Sequence, residues 1–417
     1  MRFFYVLFLH LYHTGIFVAS VGSRKARQWM QGRRMLFKEM EHAVQEDLHK
    51  GIDTPPLWLH CASLGEFEQS RSVLERIREE YPQKRILLTF FSPAGYRHCK
   101  DTSLADHVFY LPIPTPANVR RFLDLWNPGL VAFVRSEYWY TFMRALSDRE
   151  VPMVVLSSIF RSRQYFFRFT GRWFRRQLHR ISCFFVQEEA SAELLNNHGI
   201  HQHVVCGDTR FDRVCSLSQN PEPIASISEF AGDSKVLVAG STWPADEVLL
   251  KHLILDSSLQ MKIIIAPHEI HESRIQQVEK LAPGKTVRYS QLQTDPPLDA
   301  GILILDTIGL LSRVYQYGHI AYVGGGFGHG IHNILEAATW GLPVFFGPNY
   351  KKFAEAKDLI VREGAQVVSG GNELHSHVSA ILRDNRLHQR KAKICKDYVA
   401  EKSGVTDAVM KHLKIWL

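Results

Sequence analysis

Short apolar runs alternate with longer amphipathic stretches along nearly the whole chain, and this alternation constrains its fold more than any other feature. Leu57 to His60, Arg85 to Phe91, His107 to Leu111, Leu130 to Val134, Met153 to Ser157 and Cys183 to Gln187 each have strand length. A second set repeats the pattern at His203 to Cys206, Lys235 to Ala239, Lys262 to Ala266, Ile302 to Leu305, His319 to Val323 and Pro343 to Phe346. Strands separated by helices cannot pair as hairpins, so the pattern predicts parallel α/β sheets covered by helices. A chain of 417 residues is too long for one ordinary core, and two Rossmann-like halves of about 150 to 200 residues follow. Ser, Asn and Pro gather in Ser216-Leu217-Ser218-Gln219-Asn220-Pro221-Glu222-Pro223, a linker signal between the halves. The expected domains are 23–205 and 206–395, with a segment 1–22 in front and a final helix within 396–417 packing back on the first half. Ligands of such sheets bind beyond the carboxyl ends of the strands, so the cleft between the halves is the expected active site.

Composition narrows the class of molecule. Hydrophobic residues at 45% and charged residues at 22% are ordinary for a globular enzyme. The six cysteines are scattered without a C-x-x-C pair, which argues against a structural zinc site or a disulfide framework and suits a reducing cytoplasm. A net charge of +8 favours anionic partners. No zinc finger, RNA-binding signature or basic-aromatic platform is present, so nucleic acid is not the expected partner. Residues Phe3 to Val21 are mostly apolar, interrupted by His10, His13, Thr14, Gly15 and Ser20, and have about the length needed to cross a bilayer. A cleaved signal peptide would carry its charge before the apolar run, whereas Arg24, Lys25, Arg27, Arg33, Arg34 and Lys38 follow it. The segment is therefore expected to anchor the chain, as a span or as an interfacial helix, with the bulk of the protein on the cytoplasmic side.

Four motifs fall where strands end. Gly324-Gly325-Gly326-Phe327-Gly328-His329-Gly330-Ile331-His332-Asn333-Ile334-Leu335-Glu336 places a glycine-rich turn between a buried strand and a helical pattern, where backbone N–H groups and a helix start suit a phosphate. Counting G-x-G-x-x-G from Gly324 puts His329 at the third glycine, and no P-loop lysine follows, so the ligand is expected to be neither NAD nor ATP. Asn333 stands at the helix start, and Glu336 either holds ribose hydroxyls or complements the helix dipole. Leu59-His60-Cys61-Ala62-Ser63-Leu64-Gly65-Glu66 ends another strand. Ser63 and Glu66 fit a capping box, and Glu66 also fits a general base on a sugar hydroxyl. Ser63 lacks the flanking glycine of a nucleophile elbow. Gly240-Ser241-Thr242-Trp243-Pro244 is a strong helix start whose hydroxyls at Ser241 and Thr242 also suit an anionic group. Pro267-His268-Glu269-Ile270-His271 spaces its histidines by three rather than four, which does not make a zincin pair, and His268 reads better as a substrate contact.

Taken in order along the chain, these segments resemble the lipid A Kdo transferases, which move 3-deoxy-D-manno-octulosonic acid (Kdo) from CMP-Kdo to a lipid A precursor. The resemblance rests on Lys25-Ala26-Arg27-Gln28-Trp29-Met30-Gln31-Gly32-Arg33, Ala62-Ser63-Leu64-Gly65-Glu66, Gly207-Asp208-Thr209-Arg210-Phe211-Asp212, Gly240-Ser241-Thr242, Ala266-Pro267-His268 and His332-Asn333-Ile334-Leu335-Glu336. It implies a GT-B fold, two Rossmann-like domains with a central cleft behind an N-terminal membrane-anchor helix. It also implies inverting transfer without an essential metal or other cofactor, in lipopolysaccharide core biosynthesis at the cytoplasmic face of the inner membrane, whose lipid the anchor would meet. Glu66 would be the base, and Ser63, Glu137 and Arg210 would be among the residues that bind donor or substrate. Ser241, Thr242, His268, Gly325, Gly326, Asn333 and Glu336 would hold CMP-Kdo. Where the family usually reads E-T-E, this chain has Arg135-Ser136-Glu137, so one acid is replaced while Glu137 matches. Other GT-B enzymes using UDP-sugars, lipid-linked N-acetylglucosaminyl transferases or epimerases among them, share the glycine turn and ribose acid. A non-catalytic membrane-bound binder on the same scaffold is the remaining alternative.

Overall fold

A computed structural model describes residues 2–292 and 300–417. The chain divides into two compact units, one formed by Met1–Arg213 with Gly404–Leu417 and the other by Val214–Ser403, where the sequence reading places the breaks after 205 and 395.

The first unit is built on seven parallel strands: β1 (Leu57–Cys61), β2 (Ile86–Phe90), β3 (His107–Tyr110), β4 (Leu130–Val134), β5 (Met153–Ser158), β6 (Cys183–Val186) and β7 (His203–Val205). Their spatial order is β3-β2-β1-β4-β5-β6-β7. Strand β1 is buried throughout because both faces of a parallel sheet are covered by helices. Trp58 points into one core, 4.7 Å from the Phe122 ring and 5.0 Å from Phe142. Leu57, Leu59 and Cys61 point into the other, with Leu88 and Phe90.

The second unit repeats the plan with β8 (Lys235–Thr242), β9 (Met261–Pro267), β10 (Thr286–Arg288), β11 (Ile302–Ile304), β12 (Ile320–Val323), β13 (Val344–Phe346) and β14 (Ala365–Val367). The order is β10-β11-β9-β8-β12-β13-β14. The run at His203 does not open this second set: it pairs with β6, His203 opposite Phe184, and closes the first sheet. Edge strands β10 and β14, three residues each, are additions to the sequence reading.

Helices α1 (Arg2–Ala19), α2 (Arg24–Gln31) and α3 (Leu36–His49) precede the first sheet, and α4 (Leu64–Glu80) follows β1. Among the described residues no helix is long and apolar enough to cross a membrane, which corrects the expectation of a spanning anchor. His10, His13, Thr14 and Gly15 dilute the apolar character of α1, and part of its surface is used in packing. Leu9 is buried, Tyr5 packs edge-on to Tyr140 at 5.4 Å, and Tyr12 stacks with Phe91 at 6.4 Å. Phe3, Phe4, Phe8, Leu11, Phe17 and Val18 are exposed.

The C-terminal helix Val405–Leu413 packs against α4 within the first unit. Its start is capped from a distance, the Asp212 carboxylate accepting the backbone N–H groups of Gly404 (2.5 Å), Val405 (3.3 Å) and Thr406. A carboxylate on otherwise unpaired N–H groups at a helix start contributes about 1–2 kcal/mol. Asp212→Ala is therefore expected to lower the unfolding free energy by about that amount, measured by urea denaturation; an unchanged midpoint would contradict the cap.

Candidate active site

Strand order reverses beside β1 in the first sheet and beside β8 in the second, and crossovers leaving in opposite directions open a crevice at those carboxyl ends. The residues singled out from sequence fall largely at these two places. Three of the seven non-glycine residues in left-handed backbone among the described residues lie at such strand ends: Arg135 (φ 65°) after β4, Ser157 (φ 52°) near the end of β5 and Ser241 (φ 53°) near the end of β8. Each such residue costs about 1 kcal/mol or more, a strain that tends to collect at functional sites.

In the first unit, Glu66 lies in the first turn of α4 and is only 9% exposed. Its Oε2 accepts the N–H of Ala62 at 2.5 Å. The hydroxyl of Ser63 makes no capping bond, so the reciprocal capping box does not form and only its carboxylate half is present. Burial pushes the Glu66 carboxyl up to about 7, and the negative charge of Glu137 adds to the rise. The amides of Ala62 and Ser63 and the Arg135 guanidinium oppose that rise without cancelling it. Arg135, the residue that replaces the usual acid, thus moderates the basicity of Glu66.

Glu137 Oε2 accepts the indole N–H of Trp139 at 2.7 Å and lies 3.4 Å from Nε2 of the fully buried His60. Neither His60 nor Trp139 was among the predicted site residues; the available signal was a histidine inside an otherwise apolar strand. Arg210 is held by its near neighbour Asp208, with Nε to Oδ2 at 2.8 Å. Thr209 bonds Ser157 Oγ at 2.9 Å, linking the Gly207–Asp212 segment to the strained end of β5.

In the second unit, Thr242 is buried and donates to Glu247 Oε1 at 2.8 Å, and the same carboxylate takes a short bond from Arg274. Ser241 sits at an irregularity between β8 and β9. His268 is exposed and its ring lies 4.6 Å from that of Trp243 and 4.5 Å from that of His332, while the Trp243 indole donates to His332 Nε2 at 3.2 Å, so the three rings form a cluster. This cluster is not legible from sequence, since its members lie on three separate segments. Among the described residues no group of three His, Cys, Asp or Glu side chains gathers to hold a metal ion.

The glycine turn differs in detail from a phosphate loop. Its amides at Gly324, Gly325, Gly328, Gly330 and His332 are bonded internally, to Gly240 O, Asp246 Oδ2, Gly325 O, Gly325 O and Gly324 O respectively. The glycines instead permit close backbone approach. A Cβ on Gly324 would lie 2.3 Å from Ser241 O, and one on Gly326 would lie 2.5 Å from Gly347 N. The turn therefore draws the ends of β8, β12 and β13 together. The helix beyond it, Leu335–Ala338, is one turn long; Asn333 Oδ1 accepts Leu335 N–H at 3.2 Å and Asn333 Nδ2 donates to Glu336 Oε1 at 3.0 Å.

Two parallel α/β units with polar side chains gathered at their switch points give a GT-B-like fold. Among solved structures, the chain is similar to a Neisseria meningitidis UDP-GlcNAc 2-epimerase bound to UDP-GlcNAc, at TM-score 0.61 and 14% identity, covering 87% of this chain and 100% of the other. A Methanocaldococcus jannaschii UDP-GlcNAc 2-epimerase gives TM-score 0.54 at 13% identity, over 83% and 98% of the two chains. Identities this low speak for the fold alone.

Residues 30–213 match the family model described as 3-deoxy-D-manno-octulosonic-acid transferase (kdotransferase). Proteins named 3-deoxy-D-manno-octulosonic acid transferase from Aquifex aeolicus (29% identical, 78% of this chain and 86% of the relative) and Rickettsia felis (27%, 81% and 73%) extend the likeness. One from Haemophilus influenzae is 25% identical over 87% of this chain and 88% of its own. Residues 30–213 thus carry a Kdo transferase domain, and the chain is similar over most of its length to glycosyltransferases named Kdo transferase.

The proton affinity of Glu66 has a consequence for stability. Because its folded value lies above the ordinary 4.5, the folded state binds the proton more tightly, and stability is lost as pH rises from about 4.5 through about 7. Above that window the buried carboxylate costs on the order of 1–3 kcal/mol. Glu66→Gln, which keeps an oxygen for the Ala62 N–H, is expected to raise the thermal unfolding midpoint at pH 8, the gain closing by pH 5. An equal effect at both pH values would contradict a carboxylate strained by burial.

Proposed function

We propose that this chain transfers Kdo from CMP-Kdo to a hydroxyl of a lipid A precursor, with inversion at the anomeric carbon, in lipopolysaccharide biosynthesis. The observation that carries the reading is Glu66, a nearly buried carboxylate at the switch point whose carboxyl is raised to about 7. A base is most effective when its proton affinity lies near working pH, because it is then both ionised and willing to take a proton. As the acceptor oxygen bonds to the anomeric carbon, Glu66 takes its proton; the bond to the cytidylate phosphate breaks and CMP leaves with the electron pair. The anomeric centre passes through oxocarbenium character, so catalysis calls for fixed donors on the phosphate.

The second unit supplies candidates for that role in Ser241 and His268, with Asn333 and Glu336 for the nucleotide's sugar; the Thr242 hydroxyl, buried and given to Glu247, supports the strand end instead of meeting the phosphate. The cluster of Trp243, His268 and His332 supports the reading, since flat rings give a nucleotide or its sugar an apolar surface. Arg210 and Glu137 face the acceptor in this assignment. CMP-Kdo is a substrate, and the proposal invokes no resident metal.

The same reading places the protein on the cytoplasmic face of the inner membrane as an interfacial protein. The exposed apolar residues of α1 are followed by the exposed Arg24, Lys25 and Arg27, the combination that seats a helix in an anionic lipid surface.

Mass spectrometry of the product formed from CMP-Kdo and a tetra-acylated lipid A precursor tests the reaction. The expected result is a mass gain of one or more Kdo units, abolished in Glu66→Gln; turnover with UDP-sugars and none with CMP-Kdo would overturn the reading. For the membrane, the triple variant Phe4→Glu, Phe8→Glu, Leu11→Glu is expected to lose most of its co-sedimentation with vesicles containing anionic lipid. Binding equal to that of the native chain would reject α1 as the contact.

A further inference from the structure

We propose that His60, fixed from behind by Thr89 and Trp58, is a positioning residue that holds the Glu137 carboxylate in place beside Glu66 and thereby tunes the base from within the core. The inference rests on the assignment of Glu66 as base.

His60 is fully buried, on the same face of β1 as Trp58, and its neighbours along that strand, Leu57, Trp58, Leu59 and Cys61, are otherwise apolar. A buried imidazole is tolerated only where its ring nitrogens are matched to partners. Nδ1 lies 2.9 Å from the Thr89 hydroxyl and 3.1 Å from the Thr89 carbonyl. That hydroxyl accepts the indole N–H of Trp58 at 2.8 Å and has its own proton for Nδ1, whereas the carbonyl could only accept from a protonated Nδ1, so Thr89 can serve either tautomer. A neutral ring that accepts at Nδ1 carries its hydrogen on Nε2.

Nε2 is buried, makes no hydrogen bond, and has Glu137 Oε2 within ion-pair distance at 3.4 Å. The opposite tautomer would turn a lone pair toward that carboxylate. The same oxygen receives the Trp139 indole at 2.7 Å. One carboxylate oxygen thus takes a hydrogen bond from the β4 turn and is approached from the core by a buried ring nitrogen that has no hydrogen-bond partner of its own. The groups acting on Glu66 are Glu137 and Arg135 from that turn, with Cys61 of β1 also coupled to it. Glu137 itself is coupled to Tyr5 of α1 and to Tyr138. A purely structural occupant of position 60 would need no polar atom directed at Glu137, and the relay Trp58–Thr89–His60–Glu137 would serve nothing.

The test follows the proton directly. The full chain is labelled with glutamate carrying 13C at the side-chain carboxyl, and the Glu66 signal is identified by its loss in Glu66→Gln. The native midpoint is expected near 7. In Glu137→Gln it should fall by about one pH unit, the usual size of a near like-charge effect. In His60→Phe it should move the same way, and in His60→Gln, whose amide can donate, it should return most of the way to the native value. Thr89→Val, which removes only the hydroxyl, should shift it in the same direction by less, and decides the matter if the phenylalanine variant does not fold. Glu66 midpoints that match the native value in the His60 and Thr89 variants, while Glu137→Gln shifts, would overturn the role of His60. No shift in Glu137→Gln would overturn the coupling. Transfer activity retained in Glu66→Gln would reject the base assignment instead, independently of the titration.

Discussion

The reversal of strand order beside β1 and again beside β8 is the constraint on which the rest of this structure depends. Parallel strands need long crossovers, and where successive crossovers leave in opposite directions the sheet cannot be covered at its carboxyl edge. Polar side chains can stand at that edge without forfeiting burial of the strands below. In the first unit the strand leading there is buried from Leu57 to Cys61 and supports Glu66 on the next turn. In the second, β8 leads in the same way to Ser241 and Thr242, and the glycine turn after β12 lies against them.

The chemistry of the first unit comes from opposing terms of similar size. Burial and the Glu137 charge favour the protonated form of Glu66, whereas the Ala62 and Ser63 amides and Arg135 favour the anion. Burial wins, but incompletely, and the carboxyl settles near neutrality rather than being lost as a base. Left-handed backbone at Arg135, Ser157 and Ser241 shows that stability is given up at these edges, as expected where side chains must be aimed rather than merely packed. The second unit is rigid in a different manner. Asp246 accepts Trp243 N–H, Gly325 N–H and the Tyr322 hydroxyl, so one carboxylate ties a helix start, the glycine turn and β12 together.

Much of this was legible in the sequence, for identifiable reasons. Parallel strands covered on both faces read as continuous apolar runs, and long runs such as Leu130 to Val134 could hardly be anything else. Pairing partners were not legible: the short run at His203 was placed with the second sheet, because a local pattern carries no information about which neighbour a strand joins. Strands β10 and β14 were missed because an edge strand of three residues has too little periodicity to stand out. Glu66 was legible from its place at a strand end. Ser63 as its capping partner was not borne out, since the hydroxyl position depends on a rotamer that spacing does not determine. The ring cluster and the His60 contact were hidden because each joins segments far apart in the chain.

The central claim is that Glu66 acts as a base tuned to neutrality by burial and by Glu137. The most direct measurement is the pH dependence of kcat/KM for Kdo transfer from CMP-Kdo. The account predicts a rate that rises with pH through a single limb with a midpoint near 7, where the Glu66 carboxyl loses its proton. A rate independent of pH between about 5 and 8, or one that falls across that range, would contradict it.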